Sequence, residues 1–166
     1  MATLRHAVRA VILSPDKELL LMKLVFPKRA VWLTPGGGIE AGETHAQTLQ
    51  RELLEETGRD DLHIGPEIWT RTHSFLIETG ALKQVESYYL VHSDRFEPSI
   101  ANMPDEPETH WFEQYRWWAL DELCASNETF APGNLEVHLR ELLTHGAPAQ
   151  VLDVSTQPPG FELCAT

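Results

Sequence analysis

One stretch, residues 34 to 58, restricts the fold of this chain more than any other. It opens with Thr34-Pro35-Gly36-Gly37-Gly38, a run that reads as a loop. A helix with two clear ends follows. Thr44-His45-Ala46-Gln47 has the pattern of a capping box, in which Thr and the Gln three residues on each accept a backbone N–H of the first turn. Gly58 stands where a left-handed C-terminal cap belongs. Between the caps, Ala46, Leu49, Leu53 and Thr57 predict a narrow stripe that faces a sheet.

The periodicity elsewhere is mainly that of strands. Residues 4–14 carry Leu4, Val8, Ala10 and Ile12 at alternate positions, Ser14-Pro15-Asp16-Lys17 makes a turn, and residues 18–25 return, which predicts an opening hairpin. A short segment at 31–33 leads into the glycines. After the helix, residues 67–79 and 82–92 predict a second hairpin turning at Gly80. Residues 93–109 lack a period and contain Pro98, Pro104 and Pro107, and so long a loop in a compact domain is functional or disordered. A strand at 115–120, a helical turn at Leu120-Asp121-Glu122-Leu123 and a last helix over 134–144 complete the chain. That helix has Leu135, Leu139 and Leu142 on one face and Gly146 as its stop. Strands mixed with a few helices predict an α/β fold with a mixed sheet.

Composition narrows the function classes. A chain of 166 residues fits one domain, and a net charge of −12 makes a nucleic-acid polymer an unfavourable main partner, because such proteins need an excess of Lys and Arg. The aliphatic runs at 10–13 and 19–22 are too short to span a bilayer, so no membrane partner is expected. Arg5, His6 and Arg9 interrupt the first apolar stretch and argue against a signal peptide. Cys124 and Cys164 are too few for a disulfide framework or a thiolate metal site. The expectation is a soluble, cytoplasmic protein with one domain over 1–146 and a tail at 147–166 packed on or extending from it; a homodimer is left open.

The chemical signal lies in the carboxylates. Glu40, Glu43, Glu52, Glu55 and Glu56 fall within residues 37–58, against one basic group, Arg51. Glu52, Glu55 and Glu56 share neighbouring positions on the helix, where like charges destabilise it and oppose its dipole. Glu-rich helix surfaces are ordinarily solvated faces. A bound divalent cation removes the penalty, and hard oxygen ligands suit Mg²⁺ or Mn²⁺ rather than zinc.

Gly37, Glu43, Arg51, Glu52, Leu53, Glu55, Glu56 and Gly58 resemble the Nudix box, Gly-x5-Glu-x7-Arg-Glu-U-x-Glu-Glu-x-Gly-U, with every gap correct. The departure is Arg59, where the family prefers a large aliphatic; it is expected to alter packing after the helix rather than the chemistry. The stretch Arg116-Trp117-Trp118-Ala119-Leu120-Asp121-Glu122-Leu123 is also similar to the family. The resemblance implies a Nudix-type α/β/α sandwich with a central mixed β-sheet. It also implies a Mg²⁺-dependent pyrophosphohydrolase, with Mn²⁺ able to substitute, acting on a nucleoside diphosphate linked to another group. Glu52, Glu55, Glu56 and the Gly37 carbonyl are the implied metal ligands. Glu43 and Arg51 are implied to pair and orient them. For the general base the family offers a box glutamate, here Glu52, or one beyond it. Glu113 is the preferred outside candidate, with Glu106 and Glu108 as substitutes. His73 is expected to be structural.

Substrate-binding residues stay unassigned. Ser74 and Phe75 stand where ADP-ribose and dinucleoside polyphosphate hydrolases of the family carry Pro and Tyr, and the NADH-cleaving signature is absent from residues 64–74. Phe26, Trp32, Trp69 and Trp111 are candidates for stacking on a base. The alternatives are removal of pyrophosphate from RNA 5′ ends, and a binding module without catalysis, against which the intact Glu52, Glu55 and Glu56 count.

Overall fold

The computed structural model describes residues 3–77 and 80–155. Strand β1 (Thr3–Leu13) is the axis of a nine-stranded sheet. It pairs in parallel with β6 (Gly80–His92) along its whole length, from Thr3 opposite Leu82 to Leu13 opposite His92. On its other edge it meets β2 (Leu19–Phe26) at Leu13 and Leu19, and β4 (Gly36–Gly38) antiparallel further along. Antiparallel partners extend the sheet: β5 (Glu67–Ile77) on β6, and β3 (Arg29–Leu33) and β7 (Phe112–Trp118) on β2. Two short parallel strands, β8 (Phe130–Ala131) on β3 and β9 (Leu152–Asp153) on β5, make the edges. The sheet is mixed, and the class is α/β.

Alternation along β1 explains the layers. Successive strand residues point to opposite faces. Val8, Ala10 and Ile12 pack with Leu49 and Leu53 of helix α1 (His45–Thr57), while Val11 and Leu13 pack with Leu135, Leu139 and Leu142 of α3 (Leu135–His145). Helix α2 (Leu120–Ala125) adds Leu123 to the second core. Each face of the sheet thus carries a helix.

The structure corrects four local expectations. The opening hairpin closes at one pair, since β1 spends its length on β6 and β4. The glycine run is a strand: Gly36, Gly37 and Gly38 pair with Arg9, Val8 and Ala7. A Cβ at Gly36 (φ 146°) would collide with the Val8 carbonyl, so this approach requires glycine. On α1, Ala46 is exposed and Thr48 completes the buried stripe, its hydroxyl satisfied by donating to Glu43 Oε2 at 2.7 Å. Gly80 lies in β6, paired with Ile77; the intervening turn lies outside the described residues.

The aperiodic loop is ordered by tertiary contacts. Ser99 N–H donates to Thr57 O at 2.9 Å and Trp117 Nε1 donates to Phe96 O at 2.9 Å, before a 3-10 turn, Pro107–Trp111. Arg59 stacks over Phe96 at 4.6 Å and pairs with Asp61, so the departure from the box does shape packing after the helix. The tail segment up to Ser155 lies on the domain, with Val154 buried in the α3 core; residues 156–166 lie outside the described residues. Among the described residues no helix is long and apolar enough to cross a membrane.

Candidate active site

The caps of α1 set the site. Thr44 Oγ1 accepts from Gln47 N–H, Gln47 Oε1 accepts from Thr44 N–H, and Gly58 closes the helix at φ 78°. Just ahead of the helix, Glu43 accepts two bonds from Arg51, Nε at 2.7 Å and Nη2 at 2.9 Å. The same guanidinium donates to Glu52 Oε1 at 2.9 Å and to the Gly38 carbonyl at 3.2 Å, and lies 3.6 Å from Glu55. Arg51 therefore ties the glycine strand to the helix and spaces its carboxylates.

These bonds hold Glu43 down to about 2 from its ordinary 4.5, chiefly through Arg51 and then Thr48. A depressed folded value contributes stability that is complete above pH 4.5 and lost as pH falls toward 2. Glu43→Gln is expected to lower Tm at neutral pH and to flatten the fall of Tm between those values. Parallel acid limbs for variant and parent, measured by thermal melts across that range, would contradict this.

Glu56 is the α1 carboxylate bonded to the glycine strand. Its Oε2 accepts from Gly36 N–H at 2.8 Å, and its backbone carbonyl accepts from Tyr115 Oη at 2.7 Å. Burial, then the Glu52 charge, push its acid up to about 8, against the pull of Arg9 and the Gly36 N–H. Glu55 is raised for the same two reasons, burial first. Gly37 lies so close to Glu52 that a Cβ there would collide with the Glu52 carboxylate. Among the described residues no three His, Cys, Asp or Glu side chains converge into a ready-made cage. The donor set is nevertheless all hard oxygen, and its mutual repulsion is the kind a divalent cation relieves.

In the metal-free protein the raised Glu56 acid favours folding fully below pH 4.5, a contribution lost as pH rises through about 8. Glu56→Gln should consequently raise the metal-free Tm above pH 8, and added Mg²⁺ should stabilise the variant less than the parent. A lower Tm for the variant at pH 9 would mean that the charge makes a net favourable contact.

A cavity of about 750 Å³ adjoins these groups. Glu52, Glu55, Glu56 and Gly37 lie along it, and Glu106 and Glu108 reach it from the loop. Five arginines line it (Arg5, Arg9, Arg29, Arg51 and Arg71) out of 13 basic residues in an acidic chain. Its lining also includes the apolar side chains of Met22, Leu24, Phe26, Met103, Trp111 and Phe112.

Several expected residues are placed differently. Glu113 is not among the described residues lining the cavity; its carboxylate is about half exposed and pairs with Lys23 at 3.4 Å. Trp32 and Trp69 are core residues, so only Phe26 and Trp111 of the four aromatics reach the cavity. His73 is buried on the cavity wall, 3.6 Å from Glu86. Arg9 and Glu86 line the cavity without having been singled out from the sequence. A charge inside the apolar run of β1 was the available signal for Arg9.

Known proteins resemble this chain in sequence and in fold. A family model described as NUDIX domain matches residues 3–140. Proteins named RNA pyrophosphohydrolase from Rickettsia africae (strain ESF-5) and Rickettsia typhi (strain ATCC VR-144 / Wilmington) are 34% and 33% identical over 129 residues, 73% of this chain and 78% of theirs. A MutT protein from Methanosarcina mazei Go1 matches with a TM-score of 0.63 and 18% identity, over 86% of this chain and 95% of that one. The NUDIX domain of Shewanella oneidensis NrtR, complexed with ADP ribose, matches with 0.62 and 23%, over 86% and 90%. At such identities the two structures speak for the fold.

Proposed function

This chain belongs to the Nudix family and is a hydrolase of pyrophosphate bonds, and on that footing we propose that it cleaves the diphosphate of a nucleotide or nucleotide derivative with Mg²⁺, for which Mn²⁺ substitutes. The observation that carries the reading is one cavity with the three α1 carboxylates on its wall and five arginines around it. Glu52, Glu55, Glu56 and the Gly37 carbonyl would hold the cation. When bound, the ion supplies Lewis acidity to the phosphoryl oxygens and lowers the pKa of a water.

The side chains have separable tasks. Arg51, fixed by Glu43, holds Glu52 and the Gly38 carbonyl in place. Arg5 adds positive charge to the cavity wall for a phosphate chain, and apolar side chains such as Phe26 and Trp111 offer surface to the part of the substrate away from phosphorus. A carboxylate must take the proton of the attacking water. Glu52 is the candidate on the helix. Glu106 is the candidate on the loop: it reaches the cavity, and its charge acts on Glu55. Glu113, paired with Lys23, is set aside for this task.

A second reading, removal of pyrophosphate from RNA 5′ ends, is favoured by the names of the Rickettsia relatives. One panel tests both: dNTPs and oxidised forms, nucleotide sugars, ADP-ribose, dinucleoside polyphosphates and 5′-triphosphorylated RNA, with phosphate products identified. Turnover of a free nucleotide or derivative far above the RNA supports the first reading, the reverse order supports the second, and no cleavage of any member removes both.

A further inference from the structure

Glu86, on β6, is the most heavily bonded carboxylate of the cavity, and the reaction as drawn above gives it no task. Only 2% of it is exposed. Its Oε1 accepts from Arg9 Nε at 3.1 Å and Gln84 Nε2 at 2.9 Å, and its Oε2 accepts from Arg71 Nη1 at 3.2 Å and Tyr88 Oη at 2.7 Å. Burial alone would push its acid up, but Arg9, His73 and Arg71 hold it well below the usual carboxylate range. A buried ion pair is often matched or bettered in stability by apolar residues of the same volume. Stability therefore gives little reason for such a cluster.

What Arg9 does with its other nitrogen gives a better one. Arg9 Nη1 donates to the Thr34 carbonyl at 3.2 Å and to the Gly36 carbonyl at 3.3 Å. The next residue, Ala10, donates its N–H to the Pro35 carbonyl at 2.8 Å. Two consecutive residues of β1 thus hold three consecutive carbonyls. From the far side of Gly37, Arg51 holds the Gly38 carbonyl. The N–H of the same Gly36 donates to Glu56. A continuous path runs from Glu86 through Arg9 to Gly36 and on to Glu56.

We infer that Glu86 and Arg9 are positioning residues, a buried strut that fixes residues 34–36 and, through Gly36, sets Glu56 and the Gly37 carbonyl for a divalent cation. This rests on the metal-site reading above. Glu86 restrains the guanidinium through Nε, leaving Nη1 aimed at the two carbonyls. Partners behind ligands of this kind typically change metal affinity about 10–100-fold when removed.

The test is Mn²⁺ binding to the metal-free protein, followed by titration calorimetry or by the spin-resonance signal of free Mn²⁺. Arg9→Met removes the donors at nearly constant length, and Arg9→Lys keeps the charge but cannot serve both Glu86 and the carbonyls. Tyr88→Phe is the control, since it removes a bond to Glu86 Oε2 and leaves in place the Arg9 bonds to Glu86 Oε1 and to the two carbonyls. Loss of a positive charge beside Glu56 would by itself tighten cation binding, so weaker binding has the opposite sign to simple electrostatics. The expected result is a Kd raised about 10-fold or more in both Arg9 variants, with Tyr88→Phe lowering Tm and leaving Kd unchanged. If Arg9→Met does not fold, Arg9→Lys decides. Parent-like Kd in a folded Arg9 variant, or equal weakening by Tyr88→Phe, overturns the strut. Failure of the underlying reading looks different: there, Glu56→Gln binds Mn²⁺ as well as the parent.

Discussion

Glu56→Gln is expected to lower turnover on the best substrate by on the order of 10³-fold, with the fold intact. The charge stabilisation supplied by a bound cation is worth several kcal/mol at the transition state, and each factor of ten in rate corresponds to about 1.4 kcal/mol. The substitution is close to isosteric, and its amide oxygen still accepts the Gly36 N–H that Glu56 accepts at 2.8 Å. What disappears is the negative charge that a bound cation would meet at this position of the cluster. Steady-state rates against Mg²⁺ concentration, with melting curves in parallel, separate a metal defect from unfolding. Full turnover in the variant, or in parent protein treated with EDTA, would remove the metal-dependent mechanism.

Glu106→Gln should lower kcat on the order of 10²–10⁴-fold with little change in KM, the pattern of a general base that acts only in the transition state. Glu113→Gln should be nearly silent, because that carboxylate faces Lys23. The loop route is favoured by Glu106 lying on the cavity close enough for its charge to act on Glu55. The opposite outcome is equally informative. A silent Glu106→Gln, together with a Glu52→Gln enzyme that loses both metal affinity and rate, assigns the base to the helix.

The local parts of this site were legible in the sequence, and the non-local parts were not. Thr44, Gln47 and Gly58 announce the helix because capping is settled within one turn, and the Glu43–Arg51 pair is what the resemblance to the box implies. Strand alternation identifies a face without saying what covers it. Trp32 and Trp69 therefore looked as available as Phe26 and Trp111 until α3 and the sheet buried the first pair. The surroundings of Glu113 are hidden from the sequence for a related reason. The register of β7 on β2, with Gln114 opposite Lys23, decides its surroundings, and no property of residues 112–118 alone encodes that register. The strut joins residues 77 positions apart, so neither member signals the other.

The parallel seam between β1 and β6 has a consequence for how the molecule is made. Every pair along it joins residues 79 apart, as Thr3 with Leu82 and Leu13 with His92. Contacts so distant along the chain are formed late and slow folding, because the intervening loop must be closed before the pairing repays its cost. During synthesis α1 emerges well before the strand that locks β1 in place. At that point Val91 of β6 and Trp117 of β7, which share the core of Leu49 and Leu53, are still missing. Arg9 and Glu86 face each other across that seam. That bond can form only once residues 3–13 have met residues 82–92, so Arg9 gains its Glu86 partner later in synthesis than its carbonyl partners on residues 34 and 36.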